Sequence, residues 1–305
     1  MLILIAGITG SFGQSLAKTA LSRGLSVRGL GRTPSNLNPD ISSQLESFVQ
    51  SSNYYDIPAL EKAVSGVDVV INAYSPTPVL DLDGHLLLLR AAERADVKVF
   101  VASSWSRDWT NIQFGDFEHY NNHKAFQHQV ANTSPIKPVY IINGIFADLL
   151  WSPYGPGAFE AGEKPKMKYW GDHGKTDKHP WIAQGDAAEW TIDILLHGEG
   201  VQAGNGGIFK IQSGNTTIEE LAAVYENVYG TKVEVVCEGS AEELESKLAE
   251  MRKVPAPLAY FGWMSEAAAL VASKGLWEMK KVDKLVQFRT PVPLEQWLRE
   301  KRSSA

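Results

Sequence analysis

Tyr120-Asn-Asn-His-Lys124 sets a phenol and an ammonium four residues apart. On a helix, positions i and i+4 share a face. The lysine's charge would ease proton release from the phenol, and Tyr120 would then act as a general acid toward a substrate oxygen. Lys124 can also hold the ribose of a nicotinamide cofactor. Ser103 and Ser104 close the apolar run Val97-Lys-Val-Phe-Val-Ala102. A hydroxyl there can bind the same substrate oxygen, and Ser104, nearer the carboxyl end, is the expected one. Lys124, Tyr120 and Ser104 are therefore the expected catalytic set. His123 is expected to turn away from Tyr120 toward solvent.

A second constellation lies at the chain's start. Leu2-Ile-Leu-Ile-Ala6 reads as a buried strand, Gly7-Ile-Thr-Gly10-Ser-Phe-Gly13 follows at once, and an amphipathic pattern follows that. Glycines let a backbone approach phosphates, and a helix N-terminus offers free N–H donors and the positive end of its dipole. Gly7, Thr9, Gly10, Ser11, Phe12 and Gly13 are thus expected to bind a dinucleotide pyrophosphate. After the second strand pattern, Arg32 stands where an acid would take the 2′-hydroxyl of NAD. A guanidinium there suits a 2′-phosphate, so NADP(H) is the expected cofactor. Asp56 has two readings, an acceptor for the adenine amino group or the cap of the helix beginning near Pro58. Ala73, Tyr74 and Ser75 end the fourth strand pattern, where small residues leave room for ribose and pyrophosphate. Ser103 and Lys124 complete the cofactor set read from these patterns.

Elements in alternation must position these groups. Strand patterns fall at 2–6, 25–31, 45–50, 67–73, 97–102 and 138–143. Helical patterns fall at 12–23, 57–65, 84–95 and 118–132. Short Val/Ile-rich strands between amphipathic helices imply an α/β fold, a Rossmann-type doubly wound parallel sheet covered on both faces. Residues 150–180, rich in Trp, Tyr, Gly, Pro and Lys, look like a binding loop or lid. Beyond it come a helix over 181–197, a strand over 207–212 and a Thr217…Glu220 capping box opening a helix. A strand over 232–237, helices over 240–252 and 258–273, and a last helix at 294–301 complete the pattern. This predicts a cofactor-binding domain over 1–150 and a smaller α+β substrate lobe over 151–305, the two interleaved.

Bulk properties narrow the classes. The 305 residues suffice for a sizeable core. A net charge of −6 argues against nucleic acid as the main partner. No apolar run approaches the length of a membrane span. The single cysteine, Cys237, excludes an intrachain disulfide, suits a reducing compartment and reads as a buried small hydrophobe. Met1 runs straight into a strand without a basic leader, so a cytoplasmic location is expected. The histidines lack ligand spacing with acids, and no metal site is expected. The expected partner is a small molecule. Monomer and homodimer both stay open.

Several segments carry a family resemblance: Gly7–Gly13, Gly31-Arg32, Ala63-Val-Ser-Gly66-Val-Asp68-Val-Val, Leu86–Ala95 with the following Val97–Ser104, and Ser213–Leu221. With them the chain resembles the NmrA-like, isoflavone-reductase-like branch of the atypical short-chain dehydrogenases/reductases. The resemblance implies NADP(H) and a small organic substrate. It favours Lys124 over Tyr120, because the branch keeps the lysine while the tyrosine is not general. It also sets Asn143 and Phe146, after the sixth strand, beside the nicotinamide. Trp105, Phe146 and Trp151 are the expected lining of an aromatic substrate pocket. The expected activity is reduction of a carbonyl or activated double bond in an aromatic or polyketide-like metabolite. Two alternatives stand beside it: a regulator that senses NADP(H) and binds a partner protein, and an isomerase, dehydratase or cyclase that houses the dinucleotide.

Overall fold

Consecutive side chains of a strand point to opposite faces, and the first strand is buried on both. The computed structural model describes residues 1–74, 81–254, 259–283 and 290–303. In β1 (Leu2–Ala6), Ile3 and Ile5 pack into one apolar cluster and Leu4 and Ala6 into another. A strand of this kind needs helices above and below it.

The chain supplies them by alternation. After β1 come α1 (Ser11–Ser22), β2 (Ser26–Gly31), the short α2 (Pro39–Ser42), β3 (Ser47–Gln50), α3 (Ile57–Val64) and β4 (Val69–Asn72). Then follow α4 (Asp81–Arg94), β5 (Val99–Val101), α5 (Asn121–Thr133), β6 (Val139–Ile142) and β7 (Ile145–Phe146). The second half adds β8 (Lys166–Tyr169), β9 (His179–Ile182), α6 (Gln184–His197), β10 (Gly207–Lys210), β11 (Gly214–Thr216) and α7 (Ile218–Tyr229). Last come β12 (Glu234–Cys237), α8 (Ala241–Met251), α9 (Met264–Ser273) and α10 (Leu294–Ser303).

Seven strands form one parallel sheet in the order β10-β6-β5-β4-β1-β2-β3. The direction of strand progression reverses at β1, beside β4, and the carboxyl ends there open the crevice where such sheets take ligands. Leu16 and Ala20 of α1 and Ile192 of α6 cover one face, and Leu60, Leu88 and Phe126 of α3, α4 and α5 cover the other. Each buried side chain of this size contributes about 1.5–3 kcal/mol relative to exposure. The sheet is thereby a rigid base for the loops at its carboxyl edge.

β10 and α6 belong to the second half of the chain but complete the first half's sheet and its helical cover. The rest of that half builds a three-stranded sheet, β11-β9-β7, and a two-stranded one, β12-β8. A separate apolar cluster around Phe159, Met167, Trp181 and Leu221 holds these together. Among the described residues no helix is long and apolar enough to cross a membrane.

Three expectations change. The helix expected over 118–132 begins only at Asn121, after a 3-10 turn at Glu118–Tyr120. The stretch 150–180 contains β8 and the start of β9. Cys237 is exposed, because β12 lies at the edge of a two-stranded sheet and only its central residues are half-buried.

Candidate functional site

The glycine loop turns the chain from β1 into α1. Gly7 has φ +83°, and a Cβ there would lie 2.6 Å from the Ala73 carbonyl oxygen. A Cβ on Gly13 would lie 2.3 Å from the Gly7 carbonyl oxygen. Both glycines are therefore required by the protein's own packing. Gly10 is the N-cap of α1, and no side chain caps the helix there. The first-turn N–H groups, at Ser11, Phe12 and Gly13, are the donors a helix leaves unmatched. No acidic residue lies in that first turn. An uncapped, acid-free helix start on a cavity wall suits an anionic diphosphate, so the donor set fits the dinucleotide expected from the sequence.

That cavity measures about 630 Å³ and runs along the carboxyl edge of the sheet. Gly10, Ser11, Phe12, Gly13, Ala73, Tyr74 and Ser103 line one end. Phe12 also lines it, with ring centroids 4.9 Å from Trp105 and 5.2 Å from Phe146. The far end is walled by Arg107, Phe117, His119, Tyr120 and His123, and by Tyr154, Met264 and Ala268 from the second half of the chain. A hydrogen-bonded link joins α1 to α6, with Ser11 Oγ donating to Gln184 Oε1 at 2.8 Å and Gln184 Nε2 to Asp148 Oδ2 at 3.1 Å.

The tyrosine–lysine pair does not assemble as its spacing predicts. Tyr120 is the N-cap residue of α5, with φ −100° and ψ 2°, and lies in the 3-10 turn rather than in the α-helix. Its phenol oxygen accepts the Arg107 backbone N–H at 3.2 Å. Lys124 is not on the cavity wall. Its Nζ reaches the Trp109 carbonyl at 3.5 Å and stands 6.0 Å over the Phe114 ring. The side chain facing Tyr120 is His123, stacked at 5.2 Å with the rings 10° apart. Residues three apart are also neighbours at a helix start, and with Tyr120 at the N-cap it is His123 that stands where the sequence spacing put Lys124. His123, expected at the surface, lines the cavity.

Ser104 is also placed elsewhere. It is 2% exposed, accepts the Ile141 N–H at 2.8 Å and points to the Ala102 and Ile141 carbonyls. Its hydroxyl ties β5 to β6 and does not line the cavity. Ser103, one residue earlier and on the opposite side of the chain, does, with Oγ donating to the Tyr74 carbonyl at 2.9 Å.

The other expected residues divide. Ala73, Tyr74, Trp105 and Phe146 lie on the wall. Trp151 does not: its indole donates to the Leu221 carbonyl at 3.2 Å and stacks on Trp297, against the apolar cluster around Phe159, Met167 and Leu221. Asn143 is fully buried off the wall, with neither side-chain polar atom hydrogen bonded. Thr9 packs near Gly31, whose Cβ would meet the Thr9 methyl at 3.0 Å. Arg32 is exposed at the end of β2, with its guanidinium 5.3 Å over the Tyr54 ring. Asp56 caps α3: one oxygen accepts from Ala59 at 3.3 Å and the other from Ser52 N–H at 2.8 Å and hydroxyl at 2.9 Å. The Ser52 hydrogen bonds hold its carboxyl below the usual carboxylate range. Ser75 lies outside the described residues.

The far end has a distinctive electrostatic makeup. Burial pushes His119 down to about 4, with Arg107 adding to the effect, and burial with neighbouring His85 and His119 pushes His123 down to about 3. His179, just behind, is down to about 3 from burial and Arg107. Burial likewise raises the Tyr74 phenol. All these groups are neutral near pH 7. Arg107 was not singled out by sequence reasoning, nor were His119 or Met264. The available signal for Arg107 was its place in Ser104-Trp-Ser-Arg107, a few residues beyond a strand's carboxyl end.

The sequence pattern of the NmrA-like family matches residues 1–286. Among curated proteins, none matches the sequence. Solved structures share the fold across nearly the whole chain. A nucleoside-diphosphate-sugar epimerase from Staphylococcus aureus superposes with a TM-score of 0.73 at 20% identity, covering 98% of this chain and 100% of the other. A leucoanthocyanidin reductase–NADPH complex from Vitis vinifera gives 0.73 at 18% identity, covering 99% of both chains. An isoflavone reductase gives 0.71 at 17% identity, covering 98% and 99%.

Proposed function

Given that the chain belongs to the NmrA-like family, we propose that it is an NADP(H)-dependent reductase acting on a carbonyl or activated double bond of a small aromatic metabolite. One observation carries this reading: a single cavity joins the uncapped start of α1 to the Tyr120 phenol. The leucoanthocyanidin reductase with the same fold was solved with NADPH, which supports the choice of cofactor.

In this reading the N–H groups of Ser11, Phe12 and Gly13 hold the pyrophosphate, and Arg32 pairs with the 2′-phosphate. Phe12, Trp105 and Phe146 form the apolar partition beside which the nicotinamide and a flat substrate meet. When bound, the cofactor supplies the hydride. Tyr120 gives its phenolic proton to the substrate and recovers one from solvent. The Arg107 N–H on the phenol oxygen fixes the ring's orientation. Ser103, at the cavity wall, takes the oxygen-binding role expected of Ser104 by turning its hydroxyl from the Tyr74 carbonyl to the substrate, and Lys124 takes no part in proton transfer.

NADPH oxidation measured against aryl ketones and enones tests the proposal. Tyr120→Phe should lower kcat by about a hundredfold or more with the NADPH Kd unchanged. Turnover equal to wild type would remove Tyr120 from the mechanism. A second reading, an NADP(H) sensor without turnover, draws on the engagement of both Ser104 and Lys124 with the backbone. Tight NADPH binding with no oxidation by any acceptor would favour it.

A further inference from the structure

Arg107 is the only residue with a full charge among the described lining residues, and that charge is positive. It is 8% exposed, and its guanidinium carbon stands 4.7 Å over the Trp277 ring. Its side chain contacts the Tyr154 carbonyl, 3.5 Å from Nη2, and the Tyr120 phenol. A guanidinium carries five N–H donors in a planar fork. No carboxylate among the described residues pairs with it. A buried charge without a partner is costly and persists in a site when something bound there offsets it. Several other part-buried cations do meet carboxylates: Lys210 meets Asp108, Arg23 meets Glu189 and Arg28 meets Glu46.

The surroundings restrict what can offset the charge. Around it stand His119, His123 and, behind them, His179, which burial keeps neutral, and no carboxylate is among the described lining residues. Phe117, Tyr120 and Met264 line the same cavity and add apolar surface for a flat ligand. Arg107 also stands at the end of the cavity away from the glycine loop, so the pyrophosphate has its own donors. From this geometry we propose that Arg107 anchors an oxyanion, a carboxylate or phenolate on a flat aromatic body, and so makes the protein selective for anionic aromatic ligands. The assignment of that ligand as the reduced substrate rests on the reductase reading. The charge selectivity itself does not.

Calorimetric titration of the protein, saturated with NADP+, tests it with 2-naphthoate against 2-naphthamide. A charge-assisted contact that the amide cannot form should give at least a tenfold preference for the acid. Arg107→Gln should abolish the preference, and Arg107→Lys should retain part of it. The NADPH Kd should be the same in all three proteins. 4-Nitrophenol, titrated on both sides of its own ionisation, distinguishes the two sources of oxyanion: tighter binding only when ionised marks the phenolate. Equal affinity for acid and amide, with no gain on ionising the phenol, overturns the proposal. So does an acid preference that survives Arg107→Gln. If Arg107→Gln fails to fold, the wild-type ratio and the Lys variant still decide. A protein that oxidises no NADPH but keeps the acid preference loses the reductase reading alone.

Discussion

Lowering the pH from 7 to 5 should destabilise this protein chiefly through its buried histidines. Four histidines are held neutral by burial: His85 and His119 at about 4, His123 and His179 at about 3. In the unfolded chain each returns to about 6.5. The unfolded state therefore binds more protons across this window, and stability falls as pH falls. The loss starts near pH 6.5 and continues toward the folded values near 4 and 3. Each unit of pH costs about 1.4 kcal/mol per histidine, so at pH 5 each contributes a loss of about 2 kcal/mol. Four acting together approach about 8 kcal/mol, comparable with the whole stability of an ordinary domain. Asp193, raised to about 6 by burial, has the opposite sign and offsets part of this. Urea unfolding followed by tryptophan fluorescence at half-unit steps measures the effect, as a falling midpoint at constant slope. His119→Gln should remove about a quarter of the loss between pH 7 and 5. Arg107→Lys should change it little, since the cationic neighbour is kept. A midpoint that stays flat from pH 7 to 5, or a His119→Gln protein with the wild-type profile, would refute the reasoning.

Other perturbations bear on the site. Arg32→Ala should weaken NADPH binding about ten- to a hundredfold, the loss of one charge-assisted contact, and leave NADH binding unchanged; equal loss for both nucleotides in parallel titrations would remove Arg32 from 2′-phosphate recognition. Ser104→Ala strands the Ile141 N–H that its hydroxyl satisfies, and should cost about 1–3 kcal/mol of stability while the kcat of the folded protein stays near wild type. Gly7→Ala combines φ +83° with a 2.6 Å backbone clash, and should cost about 1–3 kcal/mol together with cofactor affinity, both read from thermal melts with and without NADPH.

Much of this architecture is legible in the sequence because its causes are local. Leu2–Ala6 is apolar at every position, and a strand apolar on both faces needs helices on both. Gly7 and Gly13 mark a turn whose backbone comes within contact of itself and of the residue after β4. Thr217 and Glu220 form the reciprocal capping bonds that their three-residue spacing predicts. Arg32 follows β2 at the expected position. Each of these follows from propensity, periodicity or steric limits acting over a few residues.

The contents of the far end depend on tertiary structure. Ser103 and Ser104 are identical side chains at a strand end, and only the pairing of β5 with β6 turns one into the sheet and the other to the cavity. The YxxxK spacing assumes that both residues lie within one α-helix, but the α-helix begins only at Asn121, and Tyr120 at its N-cap stacks on His123 instead of facing Lys124. Arg107 gains its character from Trp277, Tyr154, Met264 and His179, all distant in sequence. Spacing along a chain specifies which faces agree within one element. It carries no information about which remote elements will bury a charge, and burial is what turns an arginine after a strand into a cation requiring a partner.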